Sequence, residues 1–110
     1  MTADRPDDDK SILDSSQLLT SFAESEILAN ASKLACQCPK HLIFILSKVR
    51  AFQEYEQGCI NSSKEDQLTH EWLYEQAIKI DRLVSSVIVE LARRESMIDA
   101  QDNIVPHPRS

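Results

Sequence analysis

The sequence predicts an all-α fold, an antiparallel bundle of three main helices with a long C-terminal helix. Three observations carry that reading. One glycine and four prolines among 110 residues leave few chain-breakers. The Asn-Gly and Asp-Gly pairs that close tight β-hairpins are absent. Apolar residues recur instead at spacings of three and four in three separate segments. A chain of this length suits one domain, large enough to build a single core without disulfide staples.

Residues 1–12 carry Asp4, Asp7, Asp8 and Asp9 around Pro6 and read as a disordered acidic arm. The helical domain then spans 13–98. Its first helix covers about 17–35, with Asp14 and Gln17 in a capping-box pattern and Ser15 or Ser16 as alternative caps. Leu19, Ala23, Ile27, Ala31 and Leu34 form its apolar stripe, which is thin because several members are small.

The second helix covers about 39–57. Pro39 suits a first helical position, where a missing N–H costs nothing. Leu42, Ile45, Leu46, Val49, Phe52 and Tyr55 then keep helical spacing. Gly58 stands where a left-handed C-terminal cap is wanted.

The third helix covers about 63–97, opening near Ser62 or Ser63 with Glu65 and Asp66 at the positive end of its dipole. Leu73, Ala77, Ile80, Val84, Val87 and Leu91 repeat at 4-3-4-3-4 spacing, a heptad seam. Arg93 and Arg94 suit its C-terminal turns. Residues 99–110, with Pro106 and Pro108, read as a flexible tail. The second helix is shorter than the third and the first is weakly apolar, so part of the long seam lacks a cover in one chain. A homodimer forming a larger bundle would supply it.

The formal charge of −6, from 18 acidic and 12 basic residues, opposes contact with phosphate backbones and anionic membranes. Arg93-Arg94 is the only adjacent basic pair, and Glu90 and Glu95 flank it. Direct nucleic-acid binding and membrane binding are therefore not expected. The longest purely apolar run, 42–46, is far below the roughly 20 residues of a membrane helix. The segment 2–10 has no hydrophobic signal region, so a cytoplasmic location is expected. Three cysteines then point to reduced thiols rather than a disulfide framework.

The chemistry concentrates in Cys36, Cys38, His41, Cys59 and His70. Thiolates and imidazoles are ligands for zinc or copper(I). Cys38 and His41, three apart, can share a side of the first helical turn. Cys59 lies 21 residues beyond Cys38, roughly 30 Å at helical rise. Cys59 and His70 can thus join the Cys36/Cys38/His41 group only across a dimer.

Cys38-Pro39 also resembles the short motif by which some regulatory proteins bind haem, and a helix start is a position that favours a thiolate. The alternative is packing. Cys38 is then a small hydrophobe beneath Leu42, and Cys59 the apolar contact of the Gly58 cap. Tyr55 and Trp72 are in that case satellites of the core, and His70 a surface or capping residue. No Ser-His-Asp order, glycine-rich phosphate loop or HExxH is present. Glu24/Glu26 and Glu54/Glu56 are i,i+2 pairs that point to different helix faces and read as solvated charge. An enzyme is not expected, nor is a resident cofactor unless the thiol cluster holds zinc or haem.

Cys36-x-Cys38-Pro39 with Leu42, then Ala51-Phe52-x-x-Tyr55, Cys59, Asp66 and His70, resembles the C-terminal helical region of some bacterial MerR-type transcriptional regulators. The likeness spans about 36–72. In that family an N-terminal winged helix-turn-helix binds DNA, while the C-terminal part dimerises and senses effectors. The 35 residues before Cys36 are too few for a winged domain and hold no basic recognition helix. The resemblance therefore implies a dimerising and sensing role, with Cys36, Cys38 and Cys59 as effector residues, and not promoter binding. The expected function is a small non-catalytic regulatory or accessory protein that acts through dimerisation and contacts with another regulatory protein. A thiol- or metal-dependent sensor built on Cys36, Cys38 and His41 is the alternative.

Overall fold

A computed structural model of the chain describes residues 11–31, 37–62, 64–101 and 103–104. Among them are three α-helices: α1 (Ser21–Ala31), α2 (Cys38–Ser62) and α3 (Gln67–Arg94). Helices α2 and α3 form an antiparallel hairpin with the main interface, and α1 packs on α2. The fold is the expected all-α bundle.

The N-terminal residues fold differently from the expected helical start at Gln17. Asp14 takes its Oδ1 back to the backbone, accepting from Ser16 N at 2.8 Å and Leu18 N at 3.1 Å. Leu13 bridges to Leu19, and Gln17 turns into the left-handed region at φ 70°. That closed loop cannot be helical, so α1 begins only at Ser21. Its cap is Thr20, whose hydroxyl accepts from Ala23 N at 3.1 Å and donates to Ser11 O at 2.5 Å. Ile12 lies in the core at 7% exposure, so the expected disordered arm does not extend to it. The remainder of the expected arm, and the expected helical positions 32–35, lie outside the described residues.

Helix α2 runs through Gly58 to Ser62, five residues past the expected end. Gly58 has helical φ and is no cap, and a Cβ there would meet nothing within 4 Å. Helix α3 begins at Gln67, with Asp66 as its N-cap residue making no side-chain cap bond. It ends at Arg94 rather than Met97 because Ser96 adopts φ 64°. Ser96 N then donates to Arg93 O at 3.1 Å and Met97 N to Ala92 O at 2.8 Å. This paired pattern is a Schellman cap, with Met97 and Ala92 supplying its buried apolar contact.

The expected tail is also ordered at its start. Ile98 bridges to Ile104, and Asp99 Oδ1 accepts from Gln101 N and Asn103 N, both at 2.9 Å. This repeats the two side-chain bonds and the bridge of the Asp14 loop in the C-terminal part of the sequence. Ile104 packs on the core. Positions 105–110 lie outside the described residues.

The hydrophobic core sits at one end of the hairpin. It gathers Ile12 and Leu19 from the first loop, Ala23 and Ile27 from α1, Ile43 and Leu46 from α2, Ile88, Val89 and Ala92 from α3, and Met97 and Ile98. Beyond Leu46 on α2, and before Ala77 on α3, no apolar side chain among the described residues is buried. The apolar side chains of the hairpin tip, such as Val49, Ile60 and Leu73, are therefore at most half-buried among the described residues.

Candidate functional site

At the boundary between core and tip, Arg50 of α2 meets Asp81 of α3. Its guanidinium donates from Nε to Asp81 Oδ2 at 2.8 Å and from Nη2 to Oδ1 at 3.1 Å, a two-pronged pair. Nη2 also donates to Leu19 O at 2.8 Å, and Glu24 of α1 lies 3.7 Å from Nη1. Gln53 adds a bond to Asp81 Oδ2 at 3.0 Å and Ser85 one to Oδ1 at 2.9 Å. Ser85 Oγ in turn accepts from Leu19 N at 2.9 Å.

Burial pushes the Asp81 carboxyl up, but hydrogen bonds from Arg50, Gln53 and Ser85, with the charge of Arg50, outweigh it and hold its pKa below the ordinary 3.8. The hydrogen bond to Asp81 raises the pKa of Arg50, against its own burial. Nε and Nη2 of Arg50 both donate to named acceptors, and Nη1 faces Glu24. Its role is to pin the first loop and α1 onto the hairpin.

The reactive side chains lie nearer the tip. Glu56, Cys59 and His70 place one ligand atom each within 4.8 Å of one another. Glu56 and Cys59 are three apart on α2, so they share a helix face, and His70 enters from the first turn of α3. His70 Nδ1 lies 2.6 Å from Glu56 Oε1. Glu56 is buried at 3% exposure, whereas Cys59 and His70 are half-buried. Interaction with Cys59 one turn along α2, and then the Glu56 charge, raise the pKa of the Tyr55 hydroxyl.

This geometry changes several sequence readings. Glu56 is not solvated charge but a buried carboxylate. Cys59 and His70 meet within one chain, as their places on either side of the inter-helix turn allow, and Glu56 rather than a second copy supplies the third donor; Cys59 lies inside α2 rather than beside a glycine cap. Cys38 and His41, at the opposite end of α2, are both exposed. Cys38 does not pack beneath Leu42; the buried side chain of that turn is Pro39. Cys36 lies outside the described residues. Tyr55 at 66% exposure and Trp72 at 57% are surface residues rather than satellites of the core. The spacing Glu56-x-x-Cys59, followed by His70 one turn into the next helix, was the available signal for the three-residue group.

The seam residues divide. Ala77 is fully buried, Leu73, Val84 and Leu91 are half-buried, and Ile80 and Val87 are exposed. The buried ridge of α3 is Ala77, Asp81, Ser85, Ile88 and Ala92, with Val89 beside it. On the opposite face Leu68, Trp72, Leu83 and Val87, with Ile80 at the margin, form an exposed apolar row. A groove of about 400 Å³ runs beside it, between Leu13 and Gln17 of the first loop and Lys79, Arg82, Leu83 and Ser86. Helix α2 shows a second exposed set, Phe44, Ile45, Phe52 and Tyr55, with the Lys48 ammonium 5.1 Å from the Phe44 ring centre. No helix among the described residues is long and apolar enough to cross a membrane. Comparison with protein-family profiles, curated proteins and solved structures finds no match for this chain.

Proposed function

We propose that the chain is a non-catalytic helical module that acts through protein contacts and pairs with a second copy along the outward face of α3. The row Leu68, Trp72, Ile80, Leu83 and Val87 carries this reading. Large apolar side chains aligned along one helix face mark a surface meant to be covered. The second exposed set, on α2, offers a further surface for another regulatory protein. A dimerising, sensing role is also what the resemblance to MerR-type regulators implies.

Charge favours a second copy as the occupant. The N-terminal part of α3, 67–78, carries Glu71 and Glu75 and no Lys or Arg. The remainder carries Lys79, Arg82, Arg93 and Arg94 against Asp81, which pairs with Arg50, and Glu90, which pairs with Arg93 and Arg94, and is net basic. Two copies crossing antiparallel set each acidic stretch beside the partner's basic one, as an isologous two-fold contact requires. The 28 residues of α3 give a face about 42 Å long.

Sedimentation equilibrium at micromolar concentration tests the proposal. The wild-type chain is expected at twice its 12.5 kDa mass. The Leu83→Glu/Val87→Glu double variant, helical by circular dichroism, is expected as a monomer. A monomeric wild type, or a double variant that still dimerises, overturns this pairing.

A further inference from the structure

We propose that Glu56, Cys59 and His70 bind a zinc-class divalent ion that locks the tip of the α2–α3 hairpin. The site is complete in one chain and does not depend on the pairing above. Its three donors are a carboxylate, a thiolate and an imidazole, each an established zinc ligand. Their ligand atoms already lie within 4.8 Å of one another, so rotation of side chains brings all three to a common ion. Three protein donors leave a tetrahedral ion one further position, which the half-buried faces of Cys59 and His70 open to solvent.

Charge and burial point the same way. Glu56 is 3% exposed, and its described side-chain partner is His70 Nδ1 at 2.6 Å. A buried carboxylate needs a cation or several donors. With Glu56 ionised and Cys59 giving up its thiol proton to water, a divalent ion brings the three ligands to neutrality. Cysteine and histidine together select zinc-class ions over magnesium or calcium, which take oxygen donors. The place also fits a staple. The tip lacks buried apolar side chains among the described residues, so an ion clamping α2 to the first turn of α3 supplies what packing does not.

Cobalt(II) and zinc titrations of the full chain test the site. One equivalent of cobalt is expected to give a near-ultraviolet thiolate-to-cobalt band and visible absorption typical of tetrahedral geometry, both displaced by zinc. Cys59→Ser should abolish the near-ultraviolet band. Glu56→Gln and His70→Gln should weaken zinc by about 100-fold or more, since even outer-shell changes cost 10–100-fold. Cys38→Ser and His41→Gln should change neither.

Absence of stoichiometric binding, or a band that survives Cys59→Ser, overturns the proposal. So does a band lost in Cys38→Ser. Should a variant fail to fold, the wild-type chain still decides. Zinc must slow alkylation of Cys59, mapped by mass spectrometry against Cys38 as internal control, and equal rates with and without zinc overturn the site.

Discussion

Ser96 holds a backbone conformation that glycine adopts without strain. Its φ of 64° is required by the turn that ends α3, and an L side chain in that region is disfavoured. Ser96→Gly is expected to stabilise the domain by about 0.5–1 kcal/mol, read as a higher urea midpoint at unchanged slope. Gly58 presents the opposite case. It sits inside α2 with open space where a Cβ would go, so Gly58→Ala should add about 0.5–1 kcal/mol through helix propensity. Each of these two positions has the residue the other would favour. Local sequence reading missed both because a lone glycine suggests a helix end, while a serine at a left-handed position has no signature. Glu56 was missed for a related reason. A glutamate two residues from another on a polar helix reads as surface until the neighbouring helix is placed beside it.

At the scale of elements, Asp81 joins the hairpin to everything N-terminal of it. Asp81→Ala removes the acceptor for Arg50, Gln53 and Ser85 at once and leaves a half-buried guanidinium with only Leu19 O and the more distant Glu24. The expected loss is roughly 3–5 kcal/mol by chemical denaturation. The same carboxylate sets an acid limit. Its folded pKa lies below the ordinary 3.8, so as pH falls the unfolded chain takes up this proton first. The Asp81 contribution is fully present above about pH 5 and is lost as pH drops through the depressed folded value. Asp81→Asn should remove that part of the acid slope, measurable from urea midpoints between about pH 5 and pH 2.

The helices themselves were legible. Pro39 marked the start of α2, and the 3-and-4 spacing of apolar residues found α3. What spacing could not supply was which face turns inward. The apolar heptad of α3 straddles the edge of the interface, because Asp81 and Ser85 occupy the buried ridge where an apolar rule expects carbon. Polar residues satisfied by Arg50 and by Leu19 N pass that rule unnoticed.

The whole molecule has a packed end and a sparse end. The packed end holds α1, both Asp-closed loops and the core; the sparse end holds Glu56, Cys59 and His70 between two helices. The scarcity of glycine and proline, the absence of tight-turn pairs and the 3-and-4 apolar spacing identified the fold class, yet this asymmetry follows from contacts between residues far apart in sequence. Zinc, if it binds as proposed, should act chiefly on the sparse end. The expected outcome is amide protection gained around 56–60 and 67–71 by hydrogen exchange, with little change around Ile88 and Ala92.

The bond from Leu19 N to Ser85 Oγ spans 66 positions of chain. Residues of α2 and α3 are close in sequence and can meet early in folding, whereas the first loop must search for a hairpin that already exists. Docking of that loop is therefore expected to follow hairpin formation, leaving a transient species whose Leu19 amide still exchanges while those of α3 are protected. Pulse-labelling during refolding would register this as a lag at Leu19. In the finished domain the same amide, although outside any helix, should exchange as slowly as those of the helical core.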